Sequence, residues 1–343
     1  MEYRSLGRTG VQVSAISLGC WVFADRVMPK EGKAIIAGAL DAGINFIDTA
    51  NYYGRPPGGS EAIIGDALRE SGKRDRVILA TKVYQVVDTT DPNGRGVSRR
   101  HIIAECEKSL KALRTDYIDL YYLHRLDPQV AIDEPLRALD DLCRSGKVRY
   151  IGASTSPAWS FVESLWASKE LGLNRFIAET PPYNLLDRSI EREVVPMAQT
   201  FGVAVNPWTP LAGELLAGGY RRGQPPPAGS RGADPDPRHV KLMKQRFNDR
   251  VFDVLDVLEA MAREKSCTVA ELALAWVLRQ PGITSAIVGM EHAPEIASSL
   301  KALDIGITAE DRARLDAVSP PGGAVSSFYN TDPANFAPHP HRF

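Results

Sequence analysis

Four polar side chains close or follow apolar runs in the first third of the chain: Asp48 in NFIDTANYYG, Tyr53 in the same segment, Lys82 in ILATKV and His124 in IDLYYLH. A phenol titrates near about 10 when unperturbed, too high for an efficient proton donor at neutral pH unless a cation stabilises the phenolate. Lys82 can supply that charge. A desolvated lysine tends to lose its proton, so it needs a carboxylate partner, and Asp48 is the natural one. His124 can hold a carbonyl oxygen in line or relay a proton to Tyr53. These parts describe an acid site beside a polarised carbonyl, requiring neither a metal ligand set nor a covalent nucleophile. Singly, each residue also has an ordinary reading: a cap or loop acceptor for Asp48, packing for Tyr53, a solvated lysine. Their joint placement at strand ends carries the argument.

The elements that must position them alternate along the chain. SAISLG, NFID, VILATKV, IDLYYLH, VRYIGAS, RFIAE, GVAVNPW and SAIVG read as strands. Between them EGKAIIAGALDAG, SEAIIGDALRES, RRHIIAECEKSLKALR, IDEPLRALDDLCRSG, PAWSFVESLWASKELG, SIEREVVPMAQTFG and VAELALAWVLRQPG carry helical apolar spacing. Gly43, Gly146, Gly172 and Gly202 stand where left-handed C-caps are needed. The expectation is an α/β chain folded as a (β/α)8 TIM barrel, with reactive groups where strands end. Ser154, Glu179 and Trp208 sit at such ends too. An open doubly wound sheet would need an early G-x-G-x-x-G, and the chain has none; it also lacks a P-loop and a nucleophile elbow.

Residues 1–343 are expected to form one barrel domain. Outside the repeat lie an N-terminal hairpin over 1–14 that plugs the barrel bottom, a Pro- and Gly-rich mobile loop over 218–240, and an extended tail over 319–343 crossing the surface near the mouth. With 343 residues, 44% of them hydrophobic, the chain is ample for a full core. A net charge of −1 offers no basic stripe, which argues against nucleic acid or an anionic membrane as partner. No signal-like start or apolar span of membrane length is present, and Cys20, Cys106, Cys143 and Cys267 follow no metal or disulfide spacing. A cytoplasmic protein is expected, with its oligomeric state open.

The segments GINFIDTANYYG, ILATKV, SLKALRTDYIDLYYLH, LDDLCRSGKVRYIGAS and PPYNLLDRSIEREVVPMAQTFGVAVNPWTPLAGELLAGGY resemble the aldo-keto reductase superfamily across essentially the whole chain. The resemblance implies reversible reduction of an aldehyde or ketone with a nicotinamide cofactor, usually NADPH. It makes Tyr53 the general acid, Lys82 and Asp48 the pair that tunes it, and His124 the residue orienting the carbonyl. It further assigns Ser154, Thr155 and Thr180 to the nicotinamide carboxamide, Trp208 to stacking on the ring, and Thr209, Leu211 and Gly213 to the pyrophosphate.

Departures from the family pattern concern the cofactor. Thr155 stands where Asn is usual, and Thr180 where Gln is usual; threonine cannot offer both an amide donor and acceptor. At the adenosine end, beyond Gly289, Glu291, Glu295 and Ser299 occupy positions that in relatives often carry Arg, Gln and Asn. Gly219 replaces a frequent lysine, while Arg221 and Arg222 remain nearby. A carboxylate repels a 2′-phosphate but accepts from a ribose hydroxyl, so weakened NADPH selectivity is expected, with NADH also accepted. Trp21, Phe23 and Tyr84 are expected as apolar walls of the substrate pocket, Arg125 and Asp127 as its polar contacts; these suit a bulky ketone, a sugar-like carbonyl or a small aldehyde. Two alternatives stand beside the reductase: a nicotinamide-binding redox-sensing or interaction subunit with little turnover, and an aldolase using Lys82 as a Schiff base.

Overall fold

The computed structural model describes residues 1–235, Met243 and residues 246–329. Strands β1 (Tyr3–Ser5) and β2 (Gln12–Ser14) form the expected antiparallel hairpin. Eight parallel strands follow in one sheet: β3 (Ile16–Gly19), β4 (Phe46–Asp48), β5 (Ile78–Val83), β6 (Ile118–Leu123), β7 (Val148–Ser154), β8 (Phe176–Thr180), β9 (Ala204–Val205) and β10 (Ala286–Gly289). The sheet runs in sequence order from β3 to β9, with β10 beside β3. It curls shut where isolated parallel bridges join Val205 to Ile283 and Trp208 to Ile287. This is the α/β, (β/α)8 TIM architecture expected from the alternating runs.

The helices in between are α1 (Pro29–Asp41), α2 (Gly59–Ser71), α3 (Arg99–Leu113), α4 (Asp133–Arg144), α5 (Ala158–Leu171) and α6 (Val194–Phe201), then α7 (Asp249–Glu264), α8 (Val269–Leu278), α9 (Pro294–Lys301) and α10 (Ala309–Val318). The glycines expected at C-caps adopt positive φ, +85° at Gly43, +78° at Gly146, and +64° at both Gly172 and Gly202. The sequence reading omitted α7, α9 and α10. Helix α7 has its own start signal, Asn248, whose side chain accepts from Val251 N.

Strand alternation decides what fills the barrel. Side chains two apart point the same way, and Phe46, Ala80, Leu120, Tyr122, Ala178 and Ala204 meet inside the barrel with Leu6 and Val13 of the hairpin. The hairpin therefore seals the bottom with apolar residues. At Gly152 of β7 an added Cβ would lie 2.6 Å from Tyr122 Cε1 and 2.7 Å from Ala178 O, so glycine makes room for the tyrosine ring. Stepping two residues up the same inward rows gives Asp48, Lys82, His124, Thr180 and Asn206. The top layer is polar because the sequence pattern changes there, not because the backbone does. The tail from Ser319 packs back on the β8 end: Val325 N bonds Leu186 O at 2.7 Å and Phe328 N bonds Asp187 Oδ2 at 2.6 Å. Residues 236–240 of the long loop and 330–343 of the tail lie outside the described residues.

Candidate active site

Asp48 ends β4, Lys82 lies near the end of β5 and His124 directly follows β6, on three adjacent strands of the sheet. Lys82 Nζ donates to Asp48 Oδ1, and to Thr49 O at 2.8 Å. Both side chains of the pair are 4% exposed. Burial pushes the Asp48 carboxyl above its ordinary range, and Lys82 pulls it back only in part. Tyr53 rises from the loop after β4, with Lys82 Nζ 5.2 Å from its ring centroid. Burial and the Asp48 charge raise the Tyr53 hydroxyl, while Arg125 lowers it.

The His124 ring centroid lies 5.9 Å from that of Tyr53, nearly edge-on at 76°, and 5.3 Å from that of Tyr52. Burial, then Lys82 and Arg125, hold the imidazole well below its usual range, so it is neutral at physiological pH. Its Nδ1 is buried without a hydrogen-bond partner. The four residues thus form one cluster: a buried ion pair, a phenol over it and a neutral imidazole beside the phenol.

Ser154 and Thr180 end neighbouring strands, and Ser154 Oγ donates to Thr180 O at 3.1 Å. Thr155 takes a left-handed φ of +54° and its Oγ1 accepts from Arg125 Nη1 at 2.8 Å and Trp208 Nε1 at 3.2 Å. Trp208 is thereby fixed at the mouth. After it, Thr209, Ala212, Gly213 and Glu214 all have positive φ, and Thr209 Oγ1 accepts from Gly213 N at 2.7 Å. The N–H groups of Ala212 and Glu214 are likewise taken within the turn, by Thr209 O at 2.9 Å and Leu211 O at 3.0 Å. Leu211 lies within this turn.

At the positions matched to the adenosine end, ion pairs change the sequence expectation. Glu291 pairs with Arg26 at 3.1 Å and lies 3.7 Å from Arg231, so its charge is already answered by two arginines. Glu295 caps its own segment, accepting from Glu291 N at 2.8 Å. Ser299 is buried on α9, and Gly289 ends β10. Arg221 and Arg222 are turned onto α7, pairing with Glu259 at 3.0 Å and with Asp249 and Asp253 at 2.9 and 2.8 Å. Gly219 has φ +94°, a conformation a lysine rarely adopts.

Of the expected pocket walls, Trp21 is 47% exposed with the Arg231 guanidinium 4.9 Å over its ring. Phe23 corrects the sequence reading: it is fully buried, packed where Gly32 lacks a Cβ, and forms no rim. Tyr84 is half-buried after β5 and Arg125 half-buried after His124. Asp127 caps a local turn, accepting from Gln129 N at 2.9 Å.

Sequence reasoning missed Arg231 and Arg246. Arg246 is buried, lies 3.9 Å over the Phe328 ring, approaches Gly213 closely, and has Nε without a partner. Burial and Arg231 lower it to about 10. Neither arginine belongs to a local motif: Arg231 reaches the site from the long loop and Arg246 from the segment between that loop and α7. For a nicotinamide cofactor the donor set fits: Thr180 Oγ1 and Arg246 Nε are buried and unpartnered, the first beside Ser154 and the second beside the left-handed turn.

Residues 15–320 match the model of the Aldo/keto reductase family. The chain is 36% identical to an uncharacterized oxidoreductase of Bacillus subtilis over 96% of its own length and 99% of that protein's. It is 35% identical to a probable voltage-gated potassium channel subunit beta of Oryza sativa, covering 89% of the chain and 92% of the relative. To the L-glyceraldehyde 3-phosphate reductase of Escherichia coli K12 it is 32% identical, covering 92% of each.

Proposed function

The chain belongs to the aldo/keto reductase family and is an oxidoreductase, and from that premise we propose that it reduces an aldehyde or ketone reversibly, with Tyr53 as the proton donor. When bound, a reduced nicotinamide supplies the hydride that the carbonyl carbon accepts. The Tyr53 O–H bond breaks as the proton passes to the developing alkoxide. Lys82 stabilises the phenolate left behind, Asp48 keeps Lys82 charged, and neutral His124 orients the carbonyl oxygen by an N–H. Ser154, Thr180 and Trp208 would hold the nicotinamide, and the turn at Thr209, Leu211 and Gly213 with Arg246 would hold the phosphates. The observation that carries this reading is the buried Lys82–Asp48 pair set 5.2 Å under the Tyr53 ring beside a neutral imidazole.

Tyr53→Phe should lower single-turnover hydride transfer by about 100-fold to 10,000-fold, with cofactor affinity and unfolding midpoint little changed. Full activity in that variant would end the assignment. The similarity to a channel beta subunit supports a second reading, a cofactor-binding interaction subunit with little turnover. Absence of hydride transfer from bound NADPH or NADH to an activated aldehyde at any pH would favour it.

For the cofactor, the Glu291 carboxylate supports relaxed choice, whereas its pairing with Arg26 and Arg231 weakens the repulsion expected of it. We therefore take NADPH as the principal cofactor with NADH also used. Titration giving NADPH at least about a hundredfold tighter than NADH would remove the second.

A further inference from the structure

Arg125 stands beside the proton-transfer cluster with three of its five N–H groups unused. Its Nη1 donates to His124 O and Thr155 Oγ1, both at 2.8 Å. Nε and Nη2 make no hydrogen bond to any described residue, and neither is among the buried orphaned atoms, so that edge of the guanidinium is accessible to solvent. The hydroxyls of Tyr52, Tyr53 and Tyr84 lie within its electrostatic reach, as does Glu179. Tyr329 of the tail also feels its charge, and donates to Ser156 O at 2.5 Å.

Glu179 does not neutralise it. The carboxyl is fully buried, Oε1 accepts from Ser156 N at 2.8 Å and Oε2 has no partner. Burial pushes it up to about 8, so it is largely uncharged at neutral pH. The pocket therefore holds a fixed cation without a resident anion. A half-buried charge left unpaired is costly, and the free Nε/Nη2 edge is the face by which arginine grips carboxylate or phosphate with two parallel bonds.

We propose that Arg125 binds an anionic group, carboxylate or phosphate, carried by the carbonyl substrate. This rests on Tyr53 being the proton donor, because the charge is placed relative to that hydroxyl. A substrate of this class has its reacting carbonyl between Tyr53 and His124 and its anion a few bonds away. The guanidinium contributes specificity, and Arg125→Lys keeps the charge but loses the planar fork.

The test compares matched pairs: 4-oxobutanoate with butanal, and glycolaldehyde phosphate with glycolaldehyde. The wild type should favour the anionic member of at least one pair by about tenfold or more in kcat/KM, mostly through KM. Which pair responds identifies carboxylate or phosphate. Arg125→Met should bring that ratio near one and Arg125→Lys should leave it intermediate; the ratio cancels any change common to both substrates. Equal rates within each pair in the wild type, or a ratio unchanged in Arg125→Met, overturn the proposal while leaving carbonyl reduction standing. A readout without turnover is calorimetric binding of 4-hydroxybutyrate, of glycol monophosphate and of 1-butanol to the cofactor-loaded wild type. Binding of either anion and not of the alcohol supports the proposal even if the reductase reading fails; binding of the alcohol as tight as that of the anions, or no binding of either anion, overturns it.

Discussion

Replacing Lys82 by methionine strands Asp48. Both side chains are 4% exposed, and Asp48 Oδ2 already has no partner. Methionine fills much of the lysine's volume, so the change is chiefly the loss of a buried cation. Removing one member of such a pair costs about 3–5 kcal/mol. The sign of the pH dependence follows from the direction of the carboxyl's shift. Even with Lys82 present, burial leaves Asp48 above its ordinary value, and without Lys82 it rises further. A carboxyl whose folded value exceeds its unfolded value of about 3.9 has its full stability below that point and loses stability as the pH rises to the folded value. The deficit of Lys82→Met relative to wild type should therefore be smaller near about pH 5 than near about pH 8, where it reaches the full range. Urea unfolding followed by tryptophan fluorescence measures it. Adding Asp48→Asn should recover about 2 kcal/mol at the alkaline end and flatten the profile, since a neutral amide replaces the stranded charge. A deficit that is the same at both pH values, or a double variant no more stable than Lys82→Met, would refute the reasoning.

Because His124 is held neutral by burial, Lys82 and Arg125, the pH profile of kcat/KM for reduction should show no histidine step near about 6.5. A step there that vanishes in His124→Gln would show that the imidazole titrates in the ordinary range. Gly152→Ala places a methyl 2.7 Å from Ala178 O and 2.6 Å from Tyr122 Cε1, and a strand carbonyl cannot swing aside. The urea midpoint should fall by the equivalent of about 1–3 kcal/mol; an unchanged midpoint would mean that the inner layer has slack.

Much of this architecture is legible in sequence because barrel strands are buried on both faces and read as short apolar runs. The candidate quartet is legible for a related reason: Asp48, Lys82 and His124 are where those inward rows turn polar. Helix α7 is harder to read because it lies shortly after a Pro- and Gly-rich segment that reads as loop. Trp21 and Phe23, two residues apart, read alike in sequence as walls. In an irregular loop the two-residue spacing does not fix direction, and Phe23 instead fills the space left by Gly32. Glu291 shows the harder limit. Its type alone suggests repulsion of a phosphate, yet its partners Arg26 and Arg231 come from distant parts of the chain. No local window contains that pairing, nor the approach of Arg246 to Gly213.

The joint that shuts the barrel has a consequence of its own. Between β9 and β10 the wall is held by two isolated bridges, and one of them is formed by Trp208 with Ile287. Trp208 also bridges Pro182 and is tethered through its indole to Thr155. The residue matched to the nicotinamide ring is therefore a stitch in the seam where the seventh and eighth strands of the cylinder meet. A ligand resting on that indole would press on a join held by isolated bridges alone, so occupancy of the mouth and integrity of the cylinder are mechanically one property.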